Sequence, residues 1–529
     1  MKIELLFIEL LIGSMILGGL IAHKRSVGER LMLFISVPVS FILAFTLTKL
    51  GIFDGIGSLA TDILLRFSIV KTHIGGSLAA TSTISAIVAV ATRPVFMLIV
   101  FWIFLLIFKI VVSIVSRKKN SGFFRKPESA KDKRNIISIV LGVVGAFVIV
   151  MFSCLPFDFI SNLAEPAINK ATAESYKGTY VYDVAKAVDE KYLPTSKTEV
   201  FGKIQYYTGM KALLNGVSNS LSEASLTTNS GEELNFNVSH LIQDLLKDEV
   251  DIIALYDHMN SPGTRSGAEI NHLSNVIDTF VDSPVVLAVL PEILDAVHVE
   301  DQLVNKLLGI MSEKYSSDDI TVLSKDFVRI SDAVKAIAEG AKNEKLRKGN
   351  MARIVLNSLA KQDVANKVVD AMSEMSIYAD VLGVFTEFGV EYLCDTVKIE
   401  NKDEMLASII KKDSYDEEDN KAFAKMISTA ALFASKFDGE TDSTVGIVLS
   451  NFSLVGRLLD AFQTFELTSE LPGKLLISIT SNADYGKYFV DSTVVKMTEN
   501  VKNGLSTYEE LFSSVQAIYK IVNQVIDNR

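Results

Sequence analysis

Glu9 and Lys109 each interrupt the interior of a long apolar run. Such runs are about 20 residues long, enough to cross a hydrocarbon core of ~30 Å. A charge exposed at a bilayer centre costs at least ~2.5 kcal/mol on insertion scales, so ionisable groups within a span are functional suspects by default. Lys109 lies about six residues, roughly 9 Å, from one end of its run, and its long stem can carry the ammonium to the interface without any function. Glu9 is shorter and reaches water less well; it is expected to be protonated or paired with a partner that the sequence does not identify. Among the histidines, His258 and His272 bracket a Gly- and Ser-containing loop, but a metal site would need a third ligand that no spacing reveals. The acidic run Asp413, Asp416, Glu417, Glu418 and Asp419 lacks the alternating ligands and turn glycine of an EF-hand and reads as a solvated loop. No nucleotide-binding glycine loop, HExxH or GxSxG motif is present. The residues therefore call for no catalytic group, cofactor or metal.

The elements that must position these groups fall into two classes. Up to Cys154 the chain carries 17 Lys+Arg against 7 Asp+Glu, and beyond it 35 against 56. The mean hydropathy of +0.31 is too apolar for a typical soluble enzyme and too polar for a chain embedded throughout. Four spans are predicted at about 3–22, 31–50, 94–115 and 136–155, forming a membrane domain over residues 1–156. The segment 51–93, rich in Gly, Ser, Thr and Ala, is expected as an amphipathic interfacial helix rather than a re-entrant hairpin. A juxtamembrane linker over 157–180 then leads to an acidic all-α domain over 181–529, as one unit or two. Helical apolar spacing is clear there at Phe327, Ile330, Val334 and Ile337, at Val448, Phe452, Val455, Leu459 and Phe462, and at Tyr508, Leu511, Val515, Ile518, Val522 and Val525. Ser506 and Glu509 read as a capping box for the last of these helices. The fold class is all-α: a four-helix transmembrane bundle followed by a large helical soluble domain.

Orientation follows from the cations. Lys24, Arg25 and Arg30 follow the first span, and eight Lys and Arg lie between Arg117 and Arg134. Cationic loops stay on the cytoplasmic side. This predicts an outward N-terminus and an extracytoplasmic location for everything beyond Pro156. The acidic remainder has no basic footprint for nucleic acid.

Packing signals are sharper than chemical ones. Ser14, Gly18 and Ala22 recur at four-residue intervals in the first span, as do Ser138, Gly142 and Ala146 in the fourth, and such spacing lets helix backbones approach closely. Gly28, Glu29 and Arg30 lead into the second span, and Asn135 followed by Gly142-Val143-Val144-Gly145 opens the fourth. With four spans and a weakly apolar stretch between the second and third, residues 1–156 resemble the colicin V production (CvpA) family of bacterial inner-membrane proteins. The match is partial, since Glu29 follows Gly28 directly. The resemblance implies a multipass membrane protein linked to toxin production or export and to envelope homeostasis, with no catalytic residues to carry over. The acidic domain is an addition that short family members lack.

The expected function is non-enzymatic: a membrane anchor that contacts the lipid bilayer and presents a helical domain to a protein partner, with self-association as a further use of the small-residue faces. The competing readings are a transport component whose path is lined by Glu9, Asp54, Asp62 or Arg66, and a cell-wall hydrolase or transferase, which would need convergent carboxylates or a nucleophile in a cleft.

Overall fold

Long apolar runs become helices because each backbone polar group is then satisfied within its own segment. In the computed structural model these are α1 (Ile3–Ala22), α2 (Val27–Lys49), α3 (Leu78–Lys118) and α4 (Lys133–Ser153). All four are long and apolar enough to cross a membrane. The structure describes residues 3–23, 25–51, 55, 78–118, 133–192, 199–227, 233–260, 265–296, 302–315, 320–347, 349–410, 412, 415–437 and 445–527. It divides into two compact units, 1–254 and 255–529.

Unit 1 turns the usual burial pattern inside out. Leu10, Ile16, Leu17 and Leu20 of α1 and Ile99, Ile103 and Leu106 of α3 face outward, whereas the interior of the bundle is built from small residues and rings. α1 packs on α4 and α2 on both α3 and α4. A Cβ placed on Gly18 would lie 2.5 Å from the Gly142 carbonyl oxygen and 2.8 Å from Ala146 Cβ, and one on Gly142 would lie 2.6 Å from Ala22 Cβ. Glycine is therefore required at both positions. Gly145 turns instead toward Phe34 of α2. On the far side of α2, Phe41 stacks on Phe152 at 3.8 Å, and Phe101 meets both edge-on.

Two of the expected boundaries are corrected. α3 is a helix of 41 residues, about 61 Å long at 1.5 Å per residue, twice the ~30 Å of a hydrocarbon core. Residues 78–93, expected within an interfacial helix, are its first turns. They continue through Pro94, and one face of them is covered by protein, where Ile87 and Val90 pack on Phe159, Val238 and Phe236. Residues 52–54 and 56–77 of that segment lie outside the described residues. The expected linker 157–180 is also structured: α5 (Leu155–Ala171) occupies most of it, started by a proline in its first turn. Ile168, Ala171 and Tyr176 bury against Val181, Val250 and Ala254.

After α5 come α6 (Tyr180–Tyr192), α7 (Val200–Tyr207), α8 (Met210–Leu221), an antiparallel hairpin of β1 (Glu223–Thr227) and β2 (Glu233–Asn237), and α9 (Val238–Asn260). The hairpin departs from the all-helical expectation, but its five-residue strands leave the class unchanged. The division between the units falls within α9.

Unit 2 buries Phe327, the stripe from Val448 to Phe462, and Tyr508, Leu511 and Val515 in one core with Phe423, Phe433, Phe465 and Phe512; Val334 and Ile337 pack against separate clusters, and Val522 is exposed. The stripe from Val448 to Phe462 is shared by two helices, Val445–Ser450 and Phe452–Thr464. The capping box of the last helix, Tyr508–Asp527, lies one residue beyond its expected place: Thr507 Oγ1 accepts from Glu510 N–H (3.2 Å), and Glu510 Oε2 accepts from Thr507 N–H (3.1 Å). Asp460 supplies a second cap, accepting from Tyr508 N–H (2.8 Å) and Glu509 N–H (2.9 Å). Asp460→Ala is expected to destabilise this helix by about 0.5–2 kcal/mol. Faster amide exchange at Tyr508 and Glu509 is the readout; unchanged exchange would remove Asp460 from the cap.

Candidate functional site

Three polar constellations stand out against the apolar scaffold. The first gathers the span ends. Glu4, in the first turn of α1, is buried and accepts the Val200 N–H of α7 at 2.6 Å. Lys49, at the end of α2, donates to Ser220 Oγ (3.1 Å) and pairs with Glu223 (3.2 Å). Arg93 of α3 donates to the carbonyls of Leu221 (2.8 Å) and Glu223 (2.6 Å). The start of α1, the end of α2 and Arg93 of α3 thus meet the stretch 200–223, while α5 continues directly from α4. Phe201 and Leu214, both fully buried, seal it to the bundle through Phe7 and Met151 on one side and Val37 and Phe41 on the other.

Beneath this junction Asp158 of α5 is fully buried. Lys211 Nζ lies 3.2 Å from its Oδ1, and Gln205 Nε2 donates to its Oδ2 at 2.9 Å. Burial pushes the Asp158 carboxyl up, and the Lys211 ammonium and the Gln205 amide draw it part of the way back. A second buried carboxylate, Asp251, is held by Lys170 and by Tyr176 Oη, the latter at 2.6 Å. Both are clamps between elements distant in sequence: the carboxylate oxygens meet partners from other elements, while Gln205 Oε1 is buried without a hydrogen-bond partner among the described residues.

The second constellation lies at the opposite end of the bundle. Ser138 Oγ donates to the Ala22 carbonyl (3.0 Å), Asn135 Nδ2 lies 3.0 Å from His23 Nδ1, and Arg25 pairs with Glu29 at 2.7 Å. Gly28 is buried at the start of α2, and the Arg30 Nε and Nη2 atoms are buried without a hydrogen-bond partner among the described residues. The structure thus brings Gly28, Glu29, Arg30 and Asn135 to one end of the bundle.

The third lies in unit 2. His258 of α9, Glu269 in the 3-10 turn Gly267–Ile270 and His272 in the first turn of the helix Asn271–Asp282 converge. Glu269 Oε2 is 3.5 Å from His258 Nδ1 and 2.9 Å from His272 Nε2. The two imidazoles, His258 first, hold the Glu269 carboxyl down at about 2 against the opposing effect of burial. Glu269 is the partner that sequence reasoning missed. Its Glu-x-x-His spacing to His272 places both on one helical face, but only the fold brings His258 to them.

Glu9 and Lys109 take no part in these groupings. Both are exposed on the outward surfaces of α1 and α3, and among the described residues neither makes a hydrogen bond or ion pair. Asp54, Asp62 and Arg66 lie outside the described residues. No protein-family model, curated protein or solved structure matches this chain. The likeness of residues 1–156 to the CvpA family therefore rests on its motif residues alone.

Proposed function

We propose that the chain is a multipass cytoplasmic-membrane protein whose residues beyond α4 form an extracytoplasmic helical body, working by binding other envelope components rather than by turnover. The observation that carries this reading is the segregation of the span ends. Those of α1, α2 and α3 that meet residues 200–223 are opposite the ends that lead into the two cationic loops. Cationic loops are retained in the cytoplasm, so residues 200–223 at the other ends face outward, and with them the chain beyond α4. Its acidic surplus keeps it soluble and repels anionic polymers. The two buried carboxylates of unit 1, Asp158 and Asp251, act as clamps between elements, as a scaffold requires. A role in toxin export or envelope homeostasis is the specific form that the CvpA likeness lends to this proposal.

Photo-crosslinkers at the exposed positions Tyr206, Tyr207 and Tyr256, activated in intact cells, test it. Capture of a discrete set of envelope proteins is the expected result. Capture of cytosolic proteins alone would overturn it.

A further inference from the structure

We propose that His258, Glu269 and His272 bind one divalent transition-metal ion of the zinc class, with water completing its shell. The three ligand atoms already lie within 4.8 Å of one another. Ligand atoms around a tetrahedral zinc ion, each about 2.0–2.1 Å from the metal, are roughly 3.3–3.4 Å apart. The His258–Glu269 separation of 3.5 Å meets that spacing as it stands, the His272–Glu269 separation of 2.9 Å opens by about half an ångström to reach it, and the two imidazole nitrogens, within 4.8 Å of each other, settle to the same spacing around the ion.

The second observation is His258 itself. Its side chain is 3% exposed, and its Nδ1, aimed at Glu269, has no hydrogen-bond partner among the described residues. A buried imidazole nitrogen left unsatisfied is costly. An ion seated between it and the carboxylate satisfies both at once. The site is closed behind His258 and open in front, since Glu269 remains 28% exposed and His272 13%, so a water molecule can reach a fourth position.

The ligands are also set in place before any ion arrives. Ser266 Oγ accepts the Ala268 N–H and donates to the Lys342 carbonyl at 2.7 Å, and Gly267 N–H donates to the Glu344 carbonyl at 2.8 Å. Gly267 is pressed so closely on Ala341 that a Cβ there would lie 2.9 Å from the alanine methyl. Leu255 and Ile270 bury into one apolar cluster with Ala338, Ala341 and Leu346, which fixes the end of α9 against the turn that carries Glu269. Two imidazoles and one carboxylate select zinc, copper, nickel or iron over magnesium and calcium, which demand six or more oxygen ligands. The bound ion would staple the last turn of α9 to the start of the next helix.

The test uses the untagged full chain in detergent, stripped with chelator and titrated with Zn²⁺ by calorimetry and with Co²⁺ by visible absorption. One equivalent of either ion is expected to bind, with the ligand-field bands of an N/O-coordinated Co²⁺. Glu269→Gln and His272→Ala are at partly exposed positions, and circular dichroism confirms their fold; each is expected to raise the dissociation constant at least about tenfold, the lower bound for loss of even an indirect ligand contact. His240→Ala, at an exposed position elsewhere, is expected to change nothing. Absence of saturable binding, or binding that both ligand variants leave intact, would overturn the proposal in favour of a plain His–Glu–His hydrogen-bonded chain.

Discussion

Lys211→Ala is expected to destabilise unit 1 by about 3–5 kcal/mol, the usual cost of breaking a buried ion pair by removing one partner. Lys211 and Asp158 have side chains only 4% and 0% exposed. Without the ammonium, the carboxylate keeps one amide donor, Gln205, in a site already sealed by apolar residues. The double variant Asp158→Leu with Lys211→Met removes both charges at similar volume and is expected to be near neutral or stabilising. Denaturant unfolding in detergent, followed at several pH values, separates the alternatives. Burial raises the Asp158 carboxyl above its ordinary value of 3.8, so the folded state takes up this proton more readily than the unfolded state. Stability from this site therefore rises as pH falls through the window between the raised value and 3.8. Loss of Lys211 removes the pull that lowers the carboxyl, so the window extends to higher pH and the defect of Lys211→Ala shrinks on acidification. A defect below about 0.5 kcal/mol, the range of ordinary surface changes, or one that grows as pH falls, would show that the pair does not clamp α5 to α8.

Gly18→Ala is expected to lower stability by about 1–3 kcal/mol, the cost of inserting a methyl into a filled interface. The new Cβ would stand 2.5 Å from the Gly142 carbonyl oxygen, which is backbone and cannot rotate away, so α1 and α4 must separate. The effect should spread to the contacts at the end of that seam, where Ser138 reaches the Ala22 carbonyl and Asn135 meets His23. Gly13→Ala is the internal control: it lies on the same helix, and a Cβ there meets nothing within 4 Å. It should be neutral or gain up to about 1 kcal/mol from helix propensity. Equal effects of the two substitutions would mean that α1 is not packed through Gly18.

The contrast between these predictions shows which features were legible in the sequence. The small-residue seams and the four apolar helices are local patterns, repeated within one segment, and a reader of Ser14, Gly18 and Ala22 can place them. Asp158 and Lys211 give no such signal: each looks like an ordinary surface residue until α8 folds back over the bundle. Glu4 reads as a polar flank of a span but caps α7. Residues 78–93 mislead because Ser, Thr and Ala suit an interfacial helix and a helix packed on protein equally well, and only the packing of Ile87 and Val90 on Phe159, Phe236 and Val238 decides between them. Glu269 and His272 carry a helical spacing of their own, but their meeting with His258 depends on the fixed turn at Gly267. Glu9, the most conspicuous ionisable group in the sequence, stands on an outward surface with no partner among the described residues.

Everything proposed for the body beyond α4 depends on which side of the membrane it occupies. Single cysteines at Tyr207→Cys, an exposed position of α7, and at Ser121→Cys, in the cationic loop between α3 and α4, report the two sides. The native thiols give little background, since Cys154 and Cys394 are buried and burial pushes the Cys394 thiol up to about 11. With a membrane-impermeant maleimide on cells whose cytoplasmic membrane is intact, Tyr207→Cys is expected to label and Ser121→Cys to label only after that membrane is opened. The reverse pattern, or labelling of both positions before opening, would contradict the account.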